Sequence, residues 1–365
     1  MIPIVLSLIA SQPTCDDDIQ CYLENPSNVP ETVATFANTH AQGATPLERT
    51  ENLYRALLSL KTRGRIVADP DNVPKRRLPV TGLEVLARAL DDDAEPLPAG
   101  CYELSTALLI AARHAKLRVV GMDRVDATEQ IGHVVVGLEV DEARPMVFDL
   151  QNEEVTRSEA YLPVSDRTFA AHHFNHLAVA RHLRGEYASA RMAIDEALAR
   201  APNEPTFLNN RAAVLLAEGA PWSARAEIAH AIEARPDQAM FRYQWGVIEQ
   251  DLGRLSQARG AFESVLSLSP GHGGARRELA WTLIRLGHVE LGERRLRSAL
   301  DVSDVRAYLA TALLARGAAG AASEIIAAMP ESDDKRALET WSRAGTPLPG
   351  SRVEDLMLEL EGTRQ

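Results

Sequence analysis

Proline recurs at Pro202, Pro236 and Pro270, a step of 34 residues, and glycine keeps the same step at Gly185, Gly219, Gly253 and Gly287. Two further series run in phase: Ala190, Ala224, Ala258 and Gly292, then Ile194, Ile228, Phe262 and Leu296 four residues later. Four interlocked series with one period mark an internal repeat, and a repeat of this length constrains the fold more than any composition does. Each unit reads as two helices. The first ends at the glycine, the residue that most readily takes the left-handed conformation of a helix C-terminus. The second starts just beyond and stops near the proline, which cannot continue it. The small residues let two helices approach closely, and the larger apolar ones four positions on share their face.

These glycine, small, apolar and proline positions, with Trp245-Gly246 in the best-formed unit, resemble the tetratricopeptide repeat family. The resemblance covers about 169–330 in five units, the last of them (303–330) weaker because Gly317 follows Gly287 by 30 residues rather than 34. Residues 331–365 are expected to cap the stack, with an amphipathic helix at VEDLMLELEG, since a stack leaves its terminal face uncovered. The resemblance implies an all-α superhelix whose groove holds a protein or peptide ligand. The alternative is a rigid spacer. Arg211, Arg242, Arg276 and Arg277 fall on first helices, where they meet acidic groups or stay solvated.

The first half differs. Residues 1–168 hold 16 Lys+Arg against 26 Asp+Glu, whereas the rest holds 23 against 25, and all four tryptophans lie at 222 or later. A boundary is therefore expected near 168, with a tail and possible signal segment at 1–29 and a second domain over 30–168. Within that domain Gly100 ends a Pro-containing turn, and Cys101 opens an apolar helix reaching about Ala115. Three strand-like runs follow at 117–122, 132–140 and 145–150. A cysteine at a helix N-terminus faces unsatisfied N–H groups and the positive end of the dipole, which favour the thiolate. A nucleophile needs a base in reach, and His133 at the start of the second run is the candidate. Asp149 ends the third run, and a hairpin of the two runs brings it beside His133 to orient the imidazole.

Gly100-Cys101 opening a helix, Gly132-His133 and Val147-Phe148-Asp149, in this order and at steps of 32 and 16, resemble the transglutaminase-like cysteine enzyme superfamily over about 45–165. With the repeats, the chain is similar to bacterial proteins that join a SirB1-like transglutaminase domain to tetratricopeptide repeats. The resemblance implies a papain-like α+β domain with Cys101 as nucleophile, His133 as base and Asp149 as orienting acid. The activity implied is acyl transfer at an amide: a protease or amidase with water as acceptor, a transglutaminase with an amine. The chain departs from the family in having Val134 after the histidine and no tryptophan before Trp222. That departure motivates the alternative, an inactive cysteine domain in a protein-interaction scaffold.

Other features are weaker. Helices are expected over 45–60 and 82–90, with a polar loop between. No phosphate-binding loop or dinucleotide fingerprint is present, so no cofactor is expected. A net charge of −12 disfavours nucleic acid, and no apolar run is long enough for a transmembrane span. His172 and His176 share a helix face as zinc ligands can, but in an exposed linker without an acidic or cysteine partner, so no metal is expected. Asp91, Asp92 and Asp93 read as a solvated face rather than a calcium loop. MIPIVLSLIA resembles the apolar part of an export signal. If it is one, the protein is periplasmic or secreted and Cys15 and Cys21 can close a small disulfide loop; otherwise it is cytoplasmic with reduced cysteines.

Overall fold

A computed structural model describes residues 19–68, 81–124, 133–138, 145–302 and 305–344. They form two compact units that divide between His176 and Leu177. Cys15, the apolar N-terminal run and VEDLMLELEG lie outside the described residues.

The first unit is α+β. Its helices are α1 (Ile19–Glu24), α2 (Glu31–His40), α3 (Pro46–Thr62), α4 (Gly82–Ala89), α5 (Cys101–His114) and the first part of α6 (Asp166–Leu183). Its strands are β1 (Ile66–Ala68), β2 (Leu97–Ala99), β3 (Val119–Arg124), β4 (Val134–Leu138), β5 (Met146–Asp149), β6 (Glu154–Arg157) and β7 (Tyr161–Pro163). Among the described residues β3 to β7 make one antiparallel sheet in the order β6-β5-β4-β3-β7, and β1 pairs with β2 in parallel.

Local chemistry sets the helix starts. At α3 the Glu48 N–H donates to Thr45 Oγ1 (3.1 Å) and the Thr45 N–H donates back to the Glu48 carboxylate (3.2 Å), a capping box followed by Pro46. Thr81 Oγ1 accepts from the Glu84 N–H at the start of α4.

Helix α5 is apolar almost all round because other elements cover it: α1 to α4 and strands β2 to β4 all contact it. Tyr102, Leu104, Leu108, Leu109 and Ile110 are fully buried in the core, as are Val134, Val136 and Phe148 from the sheet. Residues 19–29, expected as a tail, put Ile19, Leu23 and Val29 into this core.

The second unit is a run of antiparallel helix pairs: α7 (Tyr187–Arg200), α8 (Pro205–Ala217), α9 (Pro221–Ala234), α10 (Ala239–Asp251), α11 (Leu255–Leu268), α12 (Gly273–Arg285), α13 (Val289–Arg297), α14 (Val305–Ala315), α15 (Ala319–Ala327) and α16 (Asp333–Ala344). The repeat glycines do what their spacing requires. At the end of α10 Gly253 has φ +70°, its N–H donates to Gln250 O (3.0 Å), and the Arg254 N–H donates to Glu249 O (2.8 Å). That pair of bonds closes the helix and turns the chain into α11. Gly185, Gly219, Gly287 and Gly317 also have positive φ.

Ala190, Ala224 and Ala258 are fully buried, and so are Ile194, Ile228, Phe262 and Leu296. The unit is a tetratricopeptide-like helical repeat, with the fifth pair (α14, α15) formed despite its shorter spacing. Helix α16, within the 331–365 segment expected to cap the stack, packs Leu338 and Trp341 against the last pair. No helix among the described residues is long and apolar enough to cross a membrane.

Candidate functional site

The three residues singled out in the first half converge. Antiparallel pairing of β4 and β5 sets Val136 opposite Phe148. Carried one residue further, that register sets Val135 opposite Asp149, and His133, two residues from Val135, shares their face by the alternation of a strand. His133 Nε2 lies 2.6 Å from Asp149 Oδ2, with the residues 8% and 4% exposed. Cys101 is the first residue of α5 and lies near enough to His133 to help raise its pKa.

Other elements hold the arrangement. Ser105 Oγ, one turn into α5, donates to Val134 O (2.9 Å), which ties the start of the helix to the residue after His133. The Gly100 N–H donates to the Glu103 carboxylate (3.0 Å), fixing the turn before Cys101. The Arg124 N–H donates to His133 O (3.1 Å), extending the β3–β4 ladder to the histidine.

Asp149 opens an Asx-type turn: its Oδ1 accepts from the Gln151 and Asn152 N–H groups (2.9 and 3.0 Å), and its Oδ2 accepts from Asn152 Nδ2 (2.8 Å). Lys61 Nζ donates to Leu150 O and Gln151 O, and the Tyr54 hydroxyl donates to Asp149 O. Asn152, Lys61 and Tyr54 were missed in the sequence. The Asp-x-x-Asn spacing at 149–152 was the readable signal for one of them. Lys61 and Tyr54 come from α3, whose packing no local pattern announces.

Burial is the largest influence on His133 and pushes its pKa down. The hydrogen bonds to Asp149 and then Cys101, with the charge of both, outweigh it and raise the pKa from 6.5 to about 10. Burial is also the largest influence on Asp149 and works upward, but the His133 bond and charge and the Asn152 donors hold its carboxyl below the ordinary 3.8. Both shifts run in the direction that favours a charged His133–Asp149 pair.

The same shifts predict a stability window. The raised His133 contributes stability that is complete below about 6.5 and lost as pH rises through about 10. The depressed Asp149 contributes stability present above about 3.8 and lost as pH falls. Denaturant titrations should thus show Asp149→Asn furthest below the wild type near pH 5 to 6. The gap should narrow at pH 3 and again at pH 10. A gap independent of pH would mean that the pair is not charged.

Cys21 is disulfide-bonded, and Cys101, 8% exposed, is a free thiol. The histidine cluster is placed otherwise than expected. His172, read as part of an exposed linker, is fully buried in α6. With His173 and His176 it surrounds the Tyr102 ring, at centroid distances of 6.5, 6.2 and 5.2 Å. Burial pushes the His176 pKa down to about 4. Among the described residues no group of three or more His, Cys, Asp or Glu side chains is placed to hold a metal ion.

No protein-family model matches the chain, and no curated protein matches it either. Solved structures of repeat proteins are similar to parts of it. A tetratricopeptide repeat protein of Thermus thermophilus is 19% identical, with a TM-score of 0.43, over 48% of this chain and 98% of that one. Pseudomonas aeruginosa pilF is 15% identical, with a TM-score of 0.42, over 55% and 94%. The first repeat domain of Spaghetti (RPAP3), bound to an HSP90 peptide, is 20% identical, with a TM-score of 0.31, over 32% and 93%.

Proposed function

We propose that the protein is a peptide- or protein-binding repeat array whose α+β unit carries a cysteine centre for acyl transfer at an amide. One observation carries the chemical part: Cys101 opens α5 near His133, whose Nε2 lies 2.6 Å from Asp149 Oδ2. On this reading the Cys101 sulfur attacks the carbonyl carbon, the C–N bond breaks, and His133 gives its proton to the leaving amine. A thioester remains. Water then attacks it, His133 takes up the water's proton, the C–S bond breaks, and the acid leaves with the thiolate restored beside the protonated imidazole. An amine in place of water gives transamidation. The Cys101 N–H, at the first position of α5, is available to one side of the oxyanion. The papain-like assignment belongs to this proposal; its supports are the helix–sheet order and the triad. Stacked helix pairs support the binding part, because they present extended surface to a partner.

Iodoacetamide labelling with peptide mapping tests the centre. At pH 7 Cys101 should be alkylated, and His133→Ala should slow it by about 10-fold or more, since the paired imidazolium is lost. A second reading is an inactive α+β unit in a binding scaffold, favoured by the low exposure of Cys101. Cys101 that resists alkylation in the folded chain and reacts only when unfolded would select it.

A further inference from the structure

Three of the four arginines on first helices are already paired. Arg211 meets Asp195 and Glu227, Arg276 meets Asp301, and Arg277 meets Glu278. Arg242 of α10 has no carboxylate partner among the described residues. Its Nε donates to Pro236 O (2.9 Å), which orients the guanidinium and leaves its terminal nitrogens for another acceptor.

Arg242 lines a cavity of about 440 Å³ formed by residues of α9, α10 and α11. That size falls in the range of small-ligand sites. Ala229 and Ile232 of α9 and Ala261 of α11 make apolar walls, and Trp245 of α10 lines the space between them. The indole is fixed: the Arg225 guanidinium lies 4.5 Å from its centroid, and Arg225 is held by fully buried Glu249 at 2.7 Å. Gly260 completes the α11 wall. A methyl group there would meet nothing within 4 Å, so no neighbour demands the glycine, and it weakens a helix interior. Its effect is to keep the wall open. Glu233 of α9 also lines the cavity and has opposite charge to Arg242.

We propose that this cavity takes the end of a short peptide. A large apolar side chain lies against Trp245, the carboxylate bonds the Arg242 fork, and an N–H donates to Glu233. The inference rests on the reading of the repeats as a binding array and names a site and occupant for it. It does not involve Cys101.

Calorimetry on the full chain with the dipeptide leucyl-phenylalanine and its C-terminal carboxamide tests it. The acid should bind with a Kd below about 1 mM, and the amide at least about 10-fold more weakly. Arg242→Gln should bring the acid to the level of the amide. Gly260→Leu should abolish binding while leaving the denaturation midpoint unchanged or raised. No binding, or equal binding of acid and amide, overturns the proposal. Binding that survives Gly260→Leu in the folded variant also overturns it, and leaves the array a binder at another place.

Discussion

With 4-nitrophenyl acetate as a minimal acyl donor, the wild-type protein is expected to release a burst of 4-nitrophenolate approaching one equivalent, followed by slower turnover. Cys101→Ala should abolish the burst and lower turnover by about 10³-fold or more, the scale on which loss of a nucleophile is felt. Cys101 sits where α5 begins, near His133, whose Nε2 is 2.6 Å from Asp149. Acyl transfer to sulfur needs no group that this line lacks, and an activated ester tolerates weak stabilisation of the oxyanion. Asp149→Asn should keep a burst but slow it, because the imidazole loses its orienting charge while Asn152 and the backbone still hold the turn. Mass spectrometry of the quenched burst should find one acetyl group on Cys101. A wild type without burst or adduct would make the binding scaffold the better account of the chain.

Legibility in the sequence followed the range of the interactions. The helix pairs were readable because each is fixed locally: a glycine with positive φ closes one helix, a proline stops the next, and small residues recur where helices touch. The convergence of Cys101, His133 and Asp149 was readable because period-two alternation in β4 and β5 and one apolar helix determine it. The supports of the site were not. Lys61 and Tyr54 reach it from α3, about 90 residues away in sequence, and only the packing of α3 against α5 brings them there. Helix α6 misled for a related reason. Its His172-His173-x-x-His176 pattern is polar by composition, yet Tyr102 gives it an aromatic partner that buries it. Strands β6 and β7 went unread because they are short, and the whole of β6 is exposed, so no apolar run marks it.

The largest structural effect is expected in the repeats, at Phe262. Its ring is fully buried and lies 5.8 Å from that of Tyr243, and Phe262→Ala should cost about 3–5 kcal/mol, read as a lower denaturant midpoint. The reason lies in how neighbouring units solve one packing problem. The position held by Phe262 is Ile194, Ile228 and Leu296 in other units, and the residue 16 before it is Ala178, Ala212 and Ala280, but Gly246 here. A Cβ at Gly246 would stand 2.5 Å from Phe262 Cε1. The larger ring is thus accommodated by removing a methyl group from the facing helix. Gly246→Ala alone should destabilise by about 1–3 kcal/mol through overpacking, despite the better helix propensity of alanine. Phe262→Ile alone should leave a void above Gly246. Together the two changes recreate the Ala212–Ile228 pair of the preceding unit, and the double variant should be more stable than the sum of the single losses predicts. A coupling of about 1 kcal/mol or more in that cycle would establish the exchange of volume between α10 and α11; strict additivity would show that the two positions pack independently.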